Sequence, residues 1–289
     1  MVLEQCSSEK GFVASHYIGT YRLLRMIRAG HACQVWEVMR DVDKQRLVLK
    51  ALRESYRTNK EEIGFLKHEY QVAKDLDHPN VIKVYEFDIV RGIPFLALEL
   101  FNALNLKQRL RMPWPDRREQ LPDIVRQGMA AVAFLNDEGW VHRDIKPDNF
   151  LVDMGGDVRL IDFAIATKIT RGFAAMFARK SKIQGTRSYM SPEQIRGETL
   201  DQRADVYSFG CMTFELFAER LPFTGVSSDE LLQRQLKMPP PLLTSMVSDT
   251  TPELADLLQR MMAKDKNDRP DTMQDALNEF NRIRRYWKT

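Results

Sequence analysis

Cysteine is scarce in this 289-residue chain: Cys6, Cys33 and Cys211 are few, odd in number and widely separated. That spacing excludes a disulfide framework and a cysteine metal site, and it points to a reducing, cytoplasmic setting. Long hydrophobic runs are also missing. The longest apolar stretches, such as Ile93 to Leu98, fall far short of the roughly 20 residues that span a bilayer, and the first residues carry no charged-then-apolar export pattern. Nor is charge of one sign in excess. Forty-three Lys plus Arg against 40 Asp plus Glu leave a formal +3, too little for a duplex nucleic-acid binder. What remains, 44% hydrophobic and 29% charged residues, is a globular composition without repeats or low-complexity tracts.

Along the chain, residues 1–16 lack periodicity and read as an N-terminal extension. Tyr21 to Ile27, Gln34 to Met39 and Arg46 to Leu52 are short apolar-rich runs that predict an antiparallel meander. Ile63, Leu66, Tyr70 and Ala73 recur at helical spacing until Asp77-His78-Pro79-Asn80 stops them. Val81 to Phe87 and Pro94 to Leu100 predict two more strands, so the first part is a small five-stranded sheet with one helix. Helical patterns dominate the rest, which makes the chain α+β, with a boundary after Phe101.

The sharpest local pattern is His142-Arg143-Asp144 followed by Asn149, the form H-R-D-x-x-x-x-N. Four fixed residues at about 5% frequency each arise by accident in roughly two chains per thousand of this length, so the neighbours must decide. Phe150 to Val152 and Val158 to Ile161 flank Gly155-Gly156 and predict a hairpin. A turn centred on the two glycines places Asn149 opposite Asp162, an amide oxygen and a carboxylate suited to a divalent cation that takes its other ligands from phosphates. Asp144 lies five residues before Asn149 on the same loop. The bland alternative is a pair of polar strand ends in solvent.

These residues resemble those of the eukaryotic-type Ser/Thr protein kinases, over a stretch from Tyr21 to the C-terminal helix. Thr20-Tyr21-Arg22-Leu23-Leu24 and Ser191-Pro192-Glu193-Gln194 look like the bacterial branch. The resemblance implies a bilobal protein kinase fold, with lobes at 17–101 and 102–289, acting on protein substrates with ATP and Mg²⁺, or Mn²⁺ in its place. It implies no nucleic-acid partner and leaves the oligomeric state open. By the same resemblance Asp144 is the catalytic base, Lys146 steadies the γ-phosphate, and Asn149 and Asp162 hold the metal. Lys50 contacts the α/β-phosphates and pairs with Glu69, while Thr186 faces Asp144 and Lys146. Ile27, Gly30, Val35, Val48, Leu98, Glu99, Phe101, Asn105 and Leu151 line the nucleotide, Glu99 to Phe101 as a hinge bonding adenine. Asp205 accepts backbone N–H bonds from the catalytic loop, and Glu193 pairs with Arg269.

Two departures stand out. The nucleotide-covering stretch Ile27-Arg28-Ala29-Gly30-His31-Ala32-Cys33-Gln34-Val35 keeps only the middle of three expected glycines, which loosens backbone approach to phosphate. In Asp162-Phe163-Ala164, alanine stands where the family has glycine and restricts φ. They motivate a second reading, a feeble or inactive ATP-binding scaffold. Against it, Lys50, Glu69, Asp144, Asn149 and Asp162 are all present. A small-molecule phosphotransferase is a third reading, disfavoured by the Ser191-Pro192-Glu193 and Asp205 elements. Arg143 beside Asp144 resembles kinases whose activation segment is phosphorylated; Thr167, Thr170, Ser181, Thr186 and Ser188 are available, with Ser181 the expected autophosphorylation site. The basic, aromatic Arg282, Arg284, Arg285, Tyr286, Trp287 and Lys288 read as the end of the last helix.

Overall fold

A computed structural model describes residues 16–114, 116–169 and 184–288. Ser181, Thr170, Arg171, Arg179, Lys180 and Lys182, and the extension up to residue 15, lie outside the described residues. Two compact units emerge. Of the described residues, the first comprises those up to Lys74 together with Lys83–Leu100, and the second comprises Asp75–Ile82 with those from Phe101 onward.

The first unit is built on a six-stranded antiparallel sheet. In chain order its strands are β1 (Tyr17–Ile18), β2 (Tyr21–Ala29), β3 (Cys33–Arg40), β4 (Arg46–Leu52), β5 (Val84–Val90) and β6 (Ile93–Glu99), arranged β1-β2-β3-β4-β6-β5. The sixth strand, β1, has only two residues, too few to register as a run, yet Ile18 buries fully against Tyr21, Leu47, Leu49 and Phe95. Alternation along β4 turns Leu47, Leu49 and Ala51 into that core and leaves Val48 and Lys50 on the other face. Helix α1 (Lys60–Ala73) begins where Asn59 accepts hydrogen bonds from the Glu61 and Glu62 amides, with both carboxylates favouring the helix N-terminus. Leu66, Glu69, Val72 and Ala73 form its buried face.

Val81 does not join the strand expected for it. The Leu160 amide donates to the Asn80 carbonyl at 2.8 Å and the Ile82 amide to the Leu160 carbonyl at 3.0 Å, which ties residues 80–82 into the second unit. Asn80 adds side-chain bonds to Gln127 (2.9 Å) and to the Val158 carbonyl (3.1 Å). A backbone already paired there cannot also serve the first sheet, so β5 starts at Val84.

In the second unit, β7 (Leu104–Asn105) precedes α2 (Leu106–Arg109) and α3 (Arg117–Asp137). Short strands β8 (Trp140–Val141), β9 (Phe150–Val152), β10 (Val158–Leu160) and β11 (Thr167–Lys168) carry the loops of the site. Then come α4 (Pro192–Arg196), α5 (Arg203–Ala218), α6 (Ser228–Lys237), α7 (Pro252–Met261) and α8 (Met273–Arg282). Helix α5 is buried at every residue from Ala204 to Phe217, including the polar Asp205, Ser208, Thr213 and Glu215, and it packs against α7.

Of the basic, aromatic tail only Arg282 lies in the last helix. After Arg282 the chain turns into a strap: the Thr251 amide donates to the Tyr286 carbonyl (3.1 Å), and Trp287 bridges to Thr250. The Trp287 ring lies 5.1 Å from the Phe217 ring and under the Arg118 guanidinium at 4.7 Å, while its indole N–H donates to the Arg118 carbonyl. An aromatic anchor with a satisfied N–H outweighs continued helix in this segment. Trp287→Ala is expected to cost about 1–2 kcal/mol of stability, measured by urea unfolding; an unchanged midpoint would show that the strap contributes nothing.

Candidate active site

The second unit's site is organised from beneath by Asp205, whose carboxylate has no solvent exposure. It accepts the amides of His142 (2.8 Å) and Arg143 (3.0 Å) and the Asn136 side chain (3.0 Å). Burial pushes its pKa up, opposed by the amide and side-chain hydrogen bonds that it accepts. Two adjacent amides aimed at one carboxylate force the chain to turn sharply, and Arg143 takes φ +72°. Burial lowers the pKa of the Arg143 guanidinium, against the pull of Asp205. His142 completes the support. Its Nδ1 accepts from the Asp144 amide at 3.3 Å, which assigns the ring proton to Nε2, 3.3 Å from the Ile161 carbonyl.

Asp144 is thereby presented as a hub. Its Oδ1 accepts both the amide and the hydroxyl of Thr186 at 2.9 Å each. Its Oδ2 lies 2.6 Å from Lys146 Nζ, which also reaches the Thr186 hydroxyl at 2.7 Å. Asn149 Nδ2 donates to the Asp144 carbonyl (2.8 Å) and carboxylate (3.2 Å). Both amide hydrogens of Asn149 are thus engaged on Asp144.

The hairpin register differs by one residue from the sequence expectation. Leu160 pairs with Phe150 and Arg159 with Leu151, and the Ile161 amide donates to the Asn149 carbonyl at 2.9 Å. Ile161, not Asp162, therefore stands opposite Asn149. The turn centres on Gly155 because Asp153 closes it: its side chain accepts from the Gly155 and Asp157 amides at 2.9 Å, and its own amide donates to the Asp157 carbonyl. A slip of one reverses the face of every side chain. Asp162 instead follows the pairing at φ +69°, and Phe163 after it is fully buried. Ala164 needs no left-handed conformation here, so its methyl imposes no strain in this arrangement.

The need for glycine at position 185 is set by the tertiary structure. At φ +117°, a Cβ there would stand 2.9 Å from the Arg143 carbonyl and 3.6 Å from Asp144 Oδ1. Gly185→Ala should therefore displace Thr186 from Asp144, at a cost of about 1–3 kcal/mol, or roughly five- to hundredfold in kcat; an unaltered rate would mean that the Thr186 contact is dispensable. Gln194 was missed. Its side chain donates to the Arg143 carbonyl at 2.8 Å while completing a capping box with Ser191. The signal was present in sequence, because Ser191 and Gln194 have the capping-box spacing. Glu193 meets Arg269 in a two-pronged pair at 2.7 and 2.9 Å.

Asn105, Leu151 and Arg159 come together across the three-stranded sheet β10-β9-β7, where Asn105 pairs with Leu151. Asn105 Oδ1 is committed to capping α2 through the Gln108 amide at 2.8 Å, leaving its Nδ2 for other partners. The Arg159 guanidinium covers the Phe101 ring at 4.6 Å. Of the activation-segment hydroxyls, Thr167 lies in β11, and Ser188 in the single helical turn Arg187–Tyr189.

In the first unit, Lys50 Nζ meets Glu69 Oε2 at 2.7 Å, with the carboxylate only 2% exposed and the lysine 21%. Lys50 pairs across strands with Val35, and Val48 with Leu98. Val35, Val48 and Lys50 are half-buried, whereas Ile27 is exposed. The Glu99 amide donates to the Lys83 carbonyl at 2.9 Å.

These features define a protein kinase domain. Residues 21–280 match the protein kinase domain family, and the chain belongs to it. Similar proteins include the serine/threonine-protein kinase PrkC of Bacillus subtilis, 29% identical over 257 residues that cover 89% of this chain and 39% of PrkC. The serine/threonine-protein kinase pkn3 of Myxococcus xanthus is 32% identical over 259 residues, 86% of this chain and 47% of its own. PknA of Mycobacterium tuberculosis, also a serine/threonine-protein kinase, is 29% identical over 251 residues, 85% and 57% respectively. The chain thus spans about half the length of the curated relatives it matches. The resemblance to the bacterial branch of the eukaryotic-type kinases stands. Among the described residues, no helix is long and apolar enough to cross a membrane.

Proposed function

We propose that this chain transfers the γ-phosphoryl group of ATP to Ser or Thr hydroxyls of proteins. The observation that carries the reading is the Asp144 hub, a carboxylate fixed by Thr186, Lys146 and Asn149. Asp144 accepts the hydroxyl proton as the new P–O bond forms and the bond to the leaving diphosphate breaks. Lys146 steadies the γ-phosphate and keeps the Asp144 carboxylate oriented, and Thr186 fixes the carboxylate through its amide and hydroxyl. Asn149 Oδ1 and Asp162 would hold Mg²⁺, or Mn²⁺, which neutralises charge on the β- and γ-phosphates. Lys50, aligned by Glu69, takes the α- and β-phosphates. We assign adenine to the Glu99–Phe101 hinge with Ile27, Gly30, Val35, Val48, Leu98 and Leu151 around the nucleotide, and Asn105 Nδ2 to the ribose.

Lys146 and Thr186 support Ser/Thr acceptors, as do the names of the relatives, which favour an enzyme over a scaffold. The sparse cysteines support a cytoplasmic setting for this domain. The test is transfer of labelled γ-phosphate to a generic basic protein, to sugars and to no acceptor. Labelling of the protein acceptor is expected, and labelling of sugars alone would replace this reading with a small-molecule phosphotransferase.

A further inference from the structure

The stretch from Arg28 to Gln34 has a single glycine where its family uses three, yet it has a defined shape. The Gly30 amide donates to the Cys33 carbonyl at 2.8 Å, and a Cβ at Gly30 would stand only 3.0 Å from that oxygen. The tip is tied to one neighbouring segment. His31 Nε2 and the Tyr56 hydroxyl are 2.6 Å apart, with ring centroids at 5.2 Å. The Arg53 amide donates to the Ala32 carbonyl at 2.8 Å, and its guanidinium reaches the Gly30 carbonyl at 3.4 Å. This segment, which includes the single turn Glu54–Tyr56, links β4, which carries Lys50, to α1, which carries Glu69.

We propose that His31, Tyr56 and Arg53 form a brace that holds the 28–34 loop in its nucleotide-ready shape, making Tyr56 and His31 positioning residues for the phosphates. The inference rests on the reading that this loop covers ATP. A three-glycine loop moulds itself to phosphate when the ligand arrives and loses conformational entropy in doing so. A loop with Arg28 and Cys33 at the outer positions cannot mould as freely. If its shape is set beforehand by side-chain ties, less ordering remains to be done on binding, and affinity is recovered without the glycines. Tying the tip to the Lys50–Glu69 linker also keeps the loop in register with the lysine assigned to the same phosphates.

The test measures dissociation constants of Mg-ATP and of adenosine for wild type, Tyr56→Phe, His31→Ala, the double variant and His31→Gln. Tyr56→Phe keeps the ring and removes only the hydroxyl, so the expected result is a roughly two- to tenfold weaker Mg-ATP affinity with adenosine unchanged, because adenosine carries no phosphate. The double variant should be no worse than His31→Ala, and His31→Gln, whose amide can still meet the hydroxyl, should recover part of the loss. Equal weakening of Mg-ATP and adenosine would overturn the brace in favour of a general structural role, and unchanged Mg-ATP affinity in Tyr56→Phe would overturn it outright. Failure of the wild type to bind Mg-ATP at all would instead remove the proposed function, and the brace with it.

Discussion

Asp144→Asn is expected to lower kcat for phosphoryl transfer by roughly 10²–10⁴-fold, the usual contribution of a positioned base, while leaving Mg-ATP affinity nearly unchanged. The carboxylate has two jobs that this substitution separates. An asparagine oxygen at the Oδ1 position can still accept the Thr186 amide and hydroxyl, so the segment around Gly185 keeps its place. At the Oδ2 position a nitrogen would face Lys146 Nζ and Asn149 Nδ2, both donors, with nothing to accept from either. The proton of the acceptor hydroxyl then has no anionic destination. Lys146 loses its carboxylate partner and keeps only Thr186. Saturating kinetics paired with nucleotide titration measure the two jobs independently. A variant that retained more than a tenth of the wild-type kcat would show that Asp144 is not the base and that the hub is structural.

The largest expected loss of stability follows from Arg269→Met. The arginine side chain is fully buried and Glu193 is 4% exposed. Besides the paired carboxylate, its donors satisfy the carbonyls of Ala263 (2.8 Å), Arg203 (2.9 Å) and Lys264 (3.3 Å), and its face lies 5.0 Å from the Tyr207 ring. Removing it strands a buried carboxylate, a loss of about 3–5 kcal/mol. The effect should reach the chemistry, since Glu193 precedes Gln194, whose side chain holds the Arg143 carbonyl beside the catalytic loop. Pairing the change with Glu193→Leu removes the stranded charge and should recover part of the stability. It should not recover all of it, because three carbonyls still lack their donor. Urea unfolding of the two single variants and the double variant measures this coupling, and a single-variant loss below about 1 kcal/mol would contradict a buried, obligatory pair.

Much of the site was legible in sequence because its chemistry is concentrated in short stretches. His142, Asp144, Lys146 and Asn149 lie within one loop, so their spacing alone places them near one another. Glu69 was legible through the family resemblance, three residues after Leu66 and four before Ala73 on its helix. Other features depended on contacts between distant residues. The hairpin slipped by one because the Asp153 side chain closes the turn, a choice that pattern and glycine placement leave open. Val81 has strand composition but is taken by the edge of β10. Gly185 is an ordinary glycine in sequence, and only the carbonyl of Arg143 pressed against it explains why no side chain fits.

The sequence by itself determined which functional groups the molecule owns and their order along the chain, because covalent spacing and hydrophobic period act locally. The tertiary structure alone decided the left-handed turns at Arg143 and Asp162, the docking of Trp287, and the tie between His31 and Tyr56. Each of these is a competition among partners for the same backbone or side-chain group, and its outcome depends on which partners the fold brings within about 3 Å.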